Sequence, residues 1–197
     1  CEITIKIKLA FSGATQEYID SAEKEIEDVW NGPYGFRTVG DCGCTLQFDV
    51  ETMKITNASQ VNCNPGPSGY HCIMVTNYST NPPKDTQGNT YAGFMYPPGK
   101  TNSQTINGWW STDMSKQIPG TNEHYTDFAH KAGHLMGLDD DYNKSKNPPY
   151  YGKNLMGRTW PPYNIVTQSM LEKVVEKGGE LSQKAAAKLK KLGELKR

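Results

Sequence analysis

Residues 130–140 read HKAGHLMGLDD, with His130 and His134 four apart, Gly137 three later and Asp140 three after that. On a helix, side chains at i and i+4 lie one above the other on one face, with Cβ atoms about 5–6 Å apart. Both imidazoles therefore reach a single metal ion. The third ligand must come from outside the helix, because the helix cannot bend round the metal. Gly137 supplies the means, since a glycine can take a left-handed conformation, end the helix and turn the chain back. Asp140 is then placed to close a site of two imidazoles and one carboxylate. That donor set suits Zn2+ and leaves a fourth position for water, as catalytic rather than structural zinc sites do. Asp139 and Asp141 flank the third ligand; calcium binding, a loop-orienting role and plain solvation are all open to them, with solvation the simplest. The competing account is two surface histidines that fall at helical spacing by accident, a general risk of short motifs. It must also explain the glycine and the carboxylate.

The histidines need a helix beneath them. Gly120-Thr121-Asn122 is expected to open it, with Tyr125, Phe128, Ala129, Ala132, Leu135 and Met136 as its apolar stripe and the histidines on the opposite side. Upstream, residues 2–10 alternate Ile3, Ile5, Ile7 and Leu9 against polar neighbours, the period-two pattern of a strand with one buried face. Thr15 can cap a helix whose stripe is Tyr18, Ile19, Ala22, Ile26, Val29 and Trp30, ended by Asn31-Gly32-Pro33. Residues 45–55 alternate again, HCIMVTN is a short apolar strand, TYAGFMYPP a short edge strand, and NGWWST another strand. After the histidines a long loop leads to a final helix from about Tyr163 to Lys177, and Gly178-Gly179 breaks the chain.

The bulk properties bound the function. A chain of 197 residues with a mean hydropathy of −0.70 can bury a real core as one large domain, with or without a tail. Twenty-one Lys/Arg balance 21 Asp/Glu, which gives no electrostatic reason to expect nucleic acid. No apolar run is long enough to cross a bilayer. No signal peptide is visible, so any export sequence is expected to have been removed or never present. From Glu172 onward eight Lys/Arg face four Asp/Glu, so residues 178–197 are expected to form a basic helical tail, solvated or frayed rather than partner-binding.

Four of the five cysteines, Cys42, Cys44, Cys63 and Cys72, crowd into one loop-rich region. Disulfides in an oxidising compartment, a structural zinc site and free thiols are the three chemistries open to them. The spacing lacks the usual zinc knuckles, which favours disulfides. Cys-x-Cys neighbours rarely pair with each other, so the Cys42/Cys44 pair is expected to bond to Cys63 or Cys72. Cys1 is the odd one out: the lipid-bearing first residue of a mature bacterial lipoprotein is one reading, but a strand begins at once without a polar tether, which favours a processing boundary.

The run HKAGHLMGLDD resembles the metzincin signature, H-E-x-x-H-x-x-G-x-x-H/D, in the version with aspartate as third ligand, as in the snapalysin-like zinc peptidases. The resemblance implies an α+β zincin over residues 1–177. An N-terminal mixed twisted sheet plus two helices would form an upper subdomain, 1–137. A smaller loop-rich C-terminal subdomain, 138–177, would carry a Met-turn and the terminal helix. It implies Zn2+ on His130, His134 and Asp140, and Met156 in KNLMGR as the methionine beneath the metal. The edge strand in TYAGFMYPP would pair with an extended peptide substrate.

Lys131 departs from the pattern, for the family has a glutamate there that takes a proton from zinc-bound water and passes it to the leaving amine. A protonated lysine has no lone pair to accept that proton, and loss of a placed general base costs on the order of 10² to 10⁴ in rate. A zinc endopeptidase is therefore expected, inactive or very weak in this form. Three histories fit Lys131: a natural pseudoprotease that holds peptide or protein, a deliberately inactivated enzyme, or a survivor of selection against a toxic protease. The last suits a toxin domain met by an inhibitor or immunity protein. The expected setting is secreted or extracellular, or delivery within an exported toxin. The expected partners are a peptide or protein substrate, with no nucleic acid and no membrane span, and the chain is expected to act as a monomer.

Overall fold

A computed structural model describes residues 1–39, 43–63, 69–77, 93–95, 108–114, 116–143 and 150–178. The alternating segment forms β1 (Glu2–Ser12), a central strand parallel to β3 (Cys44–Ile55) on one side and β4 (His71–Thr76) on the other. Its second half is buried on both faces, from Leu9 through Ser12, because two neighbouring strands and layers above and below enclose it. β6 (Gly108–Ser111) continues the parallel run beside β4. Two short antiparallel strands close the edges, β2 (Arg37–Val39) on β3 and β5 (Gly93–Met95) on β6. Among the described residues the sheet is thus six-stranded and mixed, in the order β2-β3-β1-β4-β6-β5.

Helix α1 (Gln16–Asn31) crosses between β1 and β3, as a parallel pair requires. The Thr15 side chain caps it by accepting from the Tyr18 N–H at 3.2 Å. Its buried stripe of Ile19, Ala22, Ile26 and Trp30 packs on the sheet and on α2 (Asp127–Leu135). Phe11, Phe48, Trp30 and Trp110 are fully buried in this core. Phe11 meets Trp110 edge-on with centroids 5.5 Å apart, and Trp110 lies 5.6 Å from Phe128 of α2. Each fully buried Phe contributes about 1.5–3 kcal/mol of transfer energy. α2 is therefore bolted to the sheet through aromatic rings.

Several expectations are corrected. Residues 120–126 do not open α2. Thr121 N–H instead donates to the Ile118 carbonyl at 3.1 Å in a turn with Gly120 at φ +79°, and Gln117 bridges to His124. Thr126 is held from outside, its N–H and hydroxyl both donating to the Thr159 carbonyl at 2.7 and 3.1 Å, which sets the helix start at Asp127. The last helix, α3, spans 168–178 rather than starting near Tyr163. Ile165 is drawn away to accept a hydrogen bond from the Leu155 N–H at 2.8 Å. β2 and a two-stranded hairpin, β7 (Tyr142–Asn143) with β8 (Tyr150–Tyr151), were not expected, since strands of two or three residues leave no periodic pattern.

The cysteines pair differently from expectation. Cys1 joins Cys44 and Cys63 joins Cys72. Cys1 lies beside Cys44 because β1 and β3 run in parallel register from Glu2 opposite Thr45. Two disulfides are compatible with a secreted protein. No helix of the described residues is long and apolar enough to cross a membrane. Cys42 and residues 179–197 of the expected tail lie outside the described residues.

Candidate metal centre

α2 places His130 and His134 one turn apart, and they bring their Nε2 atoms to 3.1 Å from each other. Asp140 completes a triangle, its Oδ1 standing 3.3 Å from His130 Nε2 and 3.2 Å from His134 Nε2. Ligands held about 2.0–2.1 Å from a tetrahedral metal stand about 3.3–3.4 Å from one another. The three atoms thus match one face of such a coordination shell. They form a group that can hold a metal ion.

The tautomers point the same way. His130 Nδ1 lies 2.9 Å from the Leu155 carbonyl, and His134 Nδ1 lies 2.9 Å from the Leu138 carbonyl. A carbonyl only accepts, so each Nδ1 carries the proton and each neutral ring presents its Nε2 lone pair to the centre. Two lone pairs and a carboxylate oxygen then converge with no donor among them unless a proton or a cation joins them. Backbone carbonyls on Nδ1 are also the usual outer support of metal-binding histidines.

Local sequence explains how Asp140 arrives. Gly137, at φ +86°, ends α2 in a left-handed turn: its N–H donates to the His134 carbonyl at 2.9 Å, and Leu138 N–H reaches back to Gly133 at 3.0 Å. Leu138 buries its side chain, and its carbonyl takes His134 Nδ1. Lys177 of α3 donates to the Gly137 carbonyl from the other side. Asp141 is not a solvated neighbour. Its N–H donates to the Met156 carbonyl at 3.0 Å, its carbonyl accepts from Gly152 at 2.7 Å, and its carboxylate accepts from the Asn154 amide. These bonds fix the chain on the far side of Asp140.

Residues 154–157 make the floor. Gly157 N–H donates to the Asn154 carbonyl at 3.0 Å, which gives a tight turn, and the Leu155 carbonyl within it holds His130. Met156 is buried with its sulfur directly against α2: a Cβ on Gly133 would stand 2.4 Å from Met156 Sδ. The apolar stripe is buried as expected at Phe128, Ala129 and Ala132, but this floor changes the place of His130. His130 does not lie on an open side of α2 but is buried along with Phe128, Ala129, Ala132 and Gly133.

The electrostatics follow from this enclosure. Burial lowers the His130 pKa, helped by the nearby charges of Lys131 and His134 and opposed by its bond to Asp140. Burial alone would raise Asp140, yet once a proton joins the rings the hydrogen bonds from His130 and His134, with that from Tyr142, outweigh it and hold the carboxyl well below the usual range. The Asp140 side chain keeps 36% of its surface exposed against 9% for His130, so the centre opens to solvent at the Asp140 side. The antiparallel edge strand β5 runs beside α2.

His130, His134 and Asp140, all singled out from sequence, come together here; Gly137 turns the chain between His134 and Asp140, Met156 packs against Gly133 of the same helix, and Lys131 follows His130 on α2. Asp141, Asn154 and the carbonyls of Leu138 and Leu155 were missed. Backbone acceptors have no side-chain signature; only Gly152 and Gly157, packed too tightly for a Cβ, hint at the turn. The chain matches no protein-family model, and no curated protein is detectably similar to it.

Proposed function

We propose that this chain is a metzincin-type zinc endopeptidase domain, exported, whose cleavage step is disabled by Lys131. The observation that carries the reading is the triangle of His130 Nε2, His134 Nε2 and Asp140 Oδ1, with both Nδ1 atoms committed to backbone carbonyls. Further support comes from the order of elements, from Met156 on a tight turn under α2, and from an antiparallel edge strand beside the same helix.

Two imidazoles and one carboxylate match zinc better than calcium or magnesium, which prefer all-oxygen shells. Zinc supplies a Lewis acid for a peptide carbonyl and lowers the pKa of water to near neutrality. The chain's own residues do the rest. His130, His134 and Asp140 hold the ion, and the carbonyls of Leu138 and Leu155 fix the rings. β5, the edge strand of the sheet among the described residues, offers its outer edge to an extended peptide. Lys131 sits where the proton acceptor is needed and, as an ammonium, cannot accept.

The same lysine favours a second reading, a pseudoprotease that holds peptide or protein without cutting it. Lys131→Glu separates the two. Zinc-loaded Lys131→Glu should cleave an unstructured polypeptide at least a hundredfold faster than the unchanged chain, and a chelator should abolish the gain. A folded, zinc-loaded Lys131→Glu protein without cleavage would leave the binding reading as the better account. Failure of the unchanged chain to take up zinc would end both.

A further inference from the structure

Arg158 leaves the turn that supports His130 and enters an aromatic cage. Its guanidinium carbon stands 4.5 Å from the Tyr163 ring centroid, 5.4 Å from Trp160 and 5.6 Å from Tyr151. The Nε is buried and, among the described residues, has no hydrogen-bond partner. Among the described residues no carboxylate forms an ion pair with this guanidinium. Ring faces stabilise a cation, but they offer no in-plane acceptor for its N–H groups. With Nε enclosed, the donors left for a ligand are those of the two Nη groups. They form a planar fork that matches a carboxylate.

The cage adjoins the metal centre by two routes. Tyr142 hydrogen-bonds Asp140 and lies across the hairpin from Tyr151, ring centroids 6.1 Å apart, and Tyr151 carries Arg158 on its face. Along the chain, the Leu155 carbonyl holds His130 and the Thr159 carbonyl holds Thr126 at the start of α2. Arg158 is therefore part of a segment laid along the metal-binding helix.

We propose that Arg158 is the recognition site for a carboxylate of the bound polypeptide, so that the metal centre acts beside an acidic side chain or a free C-terminus. The inference rests on the peptidase reading and adds a substrate class to it. A guanidinium that merely staples three rings together would leave ligand preference untouched.

The test uses the zinc-loaded chain with Lys131 in place and three pools of short labelled peptides of otherwise random sequence. One pool carries a single Glu and an amidated end, the second Gln and an amidated end, the third Gln and a free C-terminal carboxylate. Either the first or the third pool should bind about tenfold or more tighter than the second, and which one does identifies the source of the carboxylate. Arg158→Met keeps the stem against the rings and should equalise the three pools without changing zinc content. Equal binding of all pools to the unchanged chain, no binding at all, or a preference that survives Arg158→Met would overturn the proposal. Cleavage by Lys131→Glu without regard to acidic residues would overturn it too while the peptidase reading stands. Carboxylate preference lost in Arg158→Met, with no cleavage by Lys131→Glu, would support the Arg158 site and end the peptidase reading.

Discussion

The indole Nε1–H of Trp30 donates to the carbonyl of Ala129 at 2.9 Å, so a side chain of α1 holds the residue immediately before His130. Glu25, also on α1, accepts from the N–H of the same Ala129 at 3.1 Å. That bond satisfies one of the N–H groups that a helix start leaves unpaired. α1 thus grips both polar groups of one residue in α2 and sets the rotation at which His130 is presented. Trp30→Phe should destabilise the protein by about 1–3 kcal/mol, from lost volume and a lost hydrogen bond. Glu25→Ala should cost about 1 kcal/mol, as the loss of a cap does. Both should weaken zinc uptake although neither is one of the three candidate ligands, and zinc titration beside chemical denaturation would reveal it. Unchanged zinc affinity in the Trp30→Phe protein would show that α2 holds its rotation without this grip.

Gly137 should tolerate no side chain. At φ +86° an alanine pays about 1–2 kcal/mol of backbone strain, and its Cβ would stand 2.8 Å from Cδ of Lys177. Gly137→Ala should therefore lower thermal stability and displace Asp140 from the histidines, with a loss of zinc affinity larger than the loss of stability implies. A crystal structure or zinc titration with an undisturbed Asp140 would contradict this.

Acid should destabilise the metal-free protein well above the range of ordinary carboxylates. Burial pushes the His71 imidazole down from about 6.5 to about 4. The unfolded chain then binds a proton that the folded chain refuses, so stability from this group is full above pH 6.5 and is lost as pH falls toward 4. The loss amounts to at most about 3 kcal/mol. His130, lowered by burial, adds in the same direction, and Asp140, held low, adds at still lower pH. Urea unfolding between pH 7 and pH 4 in chelator should show the slope, and His71→Gln should flatten part of it. An equal slope in His71→Gln would show that His71 titrates normally.

Peptide mapping without reductant should recover Cys1 linked to Cys44 and Cys63 linked to Cys72. Loop-closure entropy alone assigns about 4 kcal/mol to the first bond, which spans 43 residues, and about 3 kcal/mol to the second, which spans 9. Reduction should lower the melting temperature markedly, and replacing Cys1 should cost more than replacing Cys63. A Cys42 linkage in place of Cys44 would refute the pairing.

Some of this molecule was legible in residue order alone. The period-two run of β1, the capped stripe of α1 and the four-residue spacing of His130 and His134 are local patterns, and each depends on backbone geometry that repeats within a few residues. Gly137 and Asp140 were legible for the same reason, since a left-handed glycine and a short return are decided within one turn. Other features depend on segments far apart in sequence. Cys1 found Cys44 because two parallel strands share a register. α2 starts at Asp127 because Thr159, a distant carbonyl, takes the hydrogen bonds of Thr126. His130 is buried because the 154–157 turn folds under the helix and presents a backbone acceptor that no residue type announces. Spacing along one helix fixes which atoms face the same way; what closes over them is decided by packing between elements, where the chain's order carries no period to read.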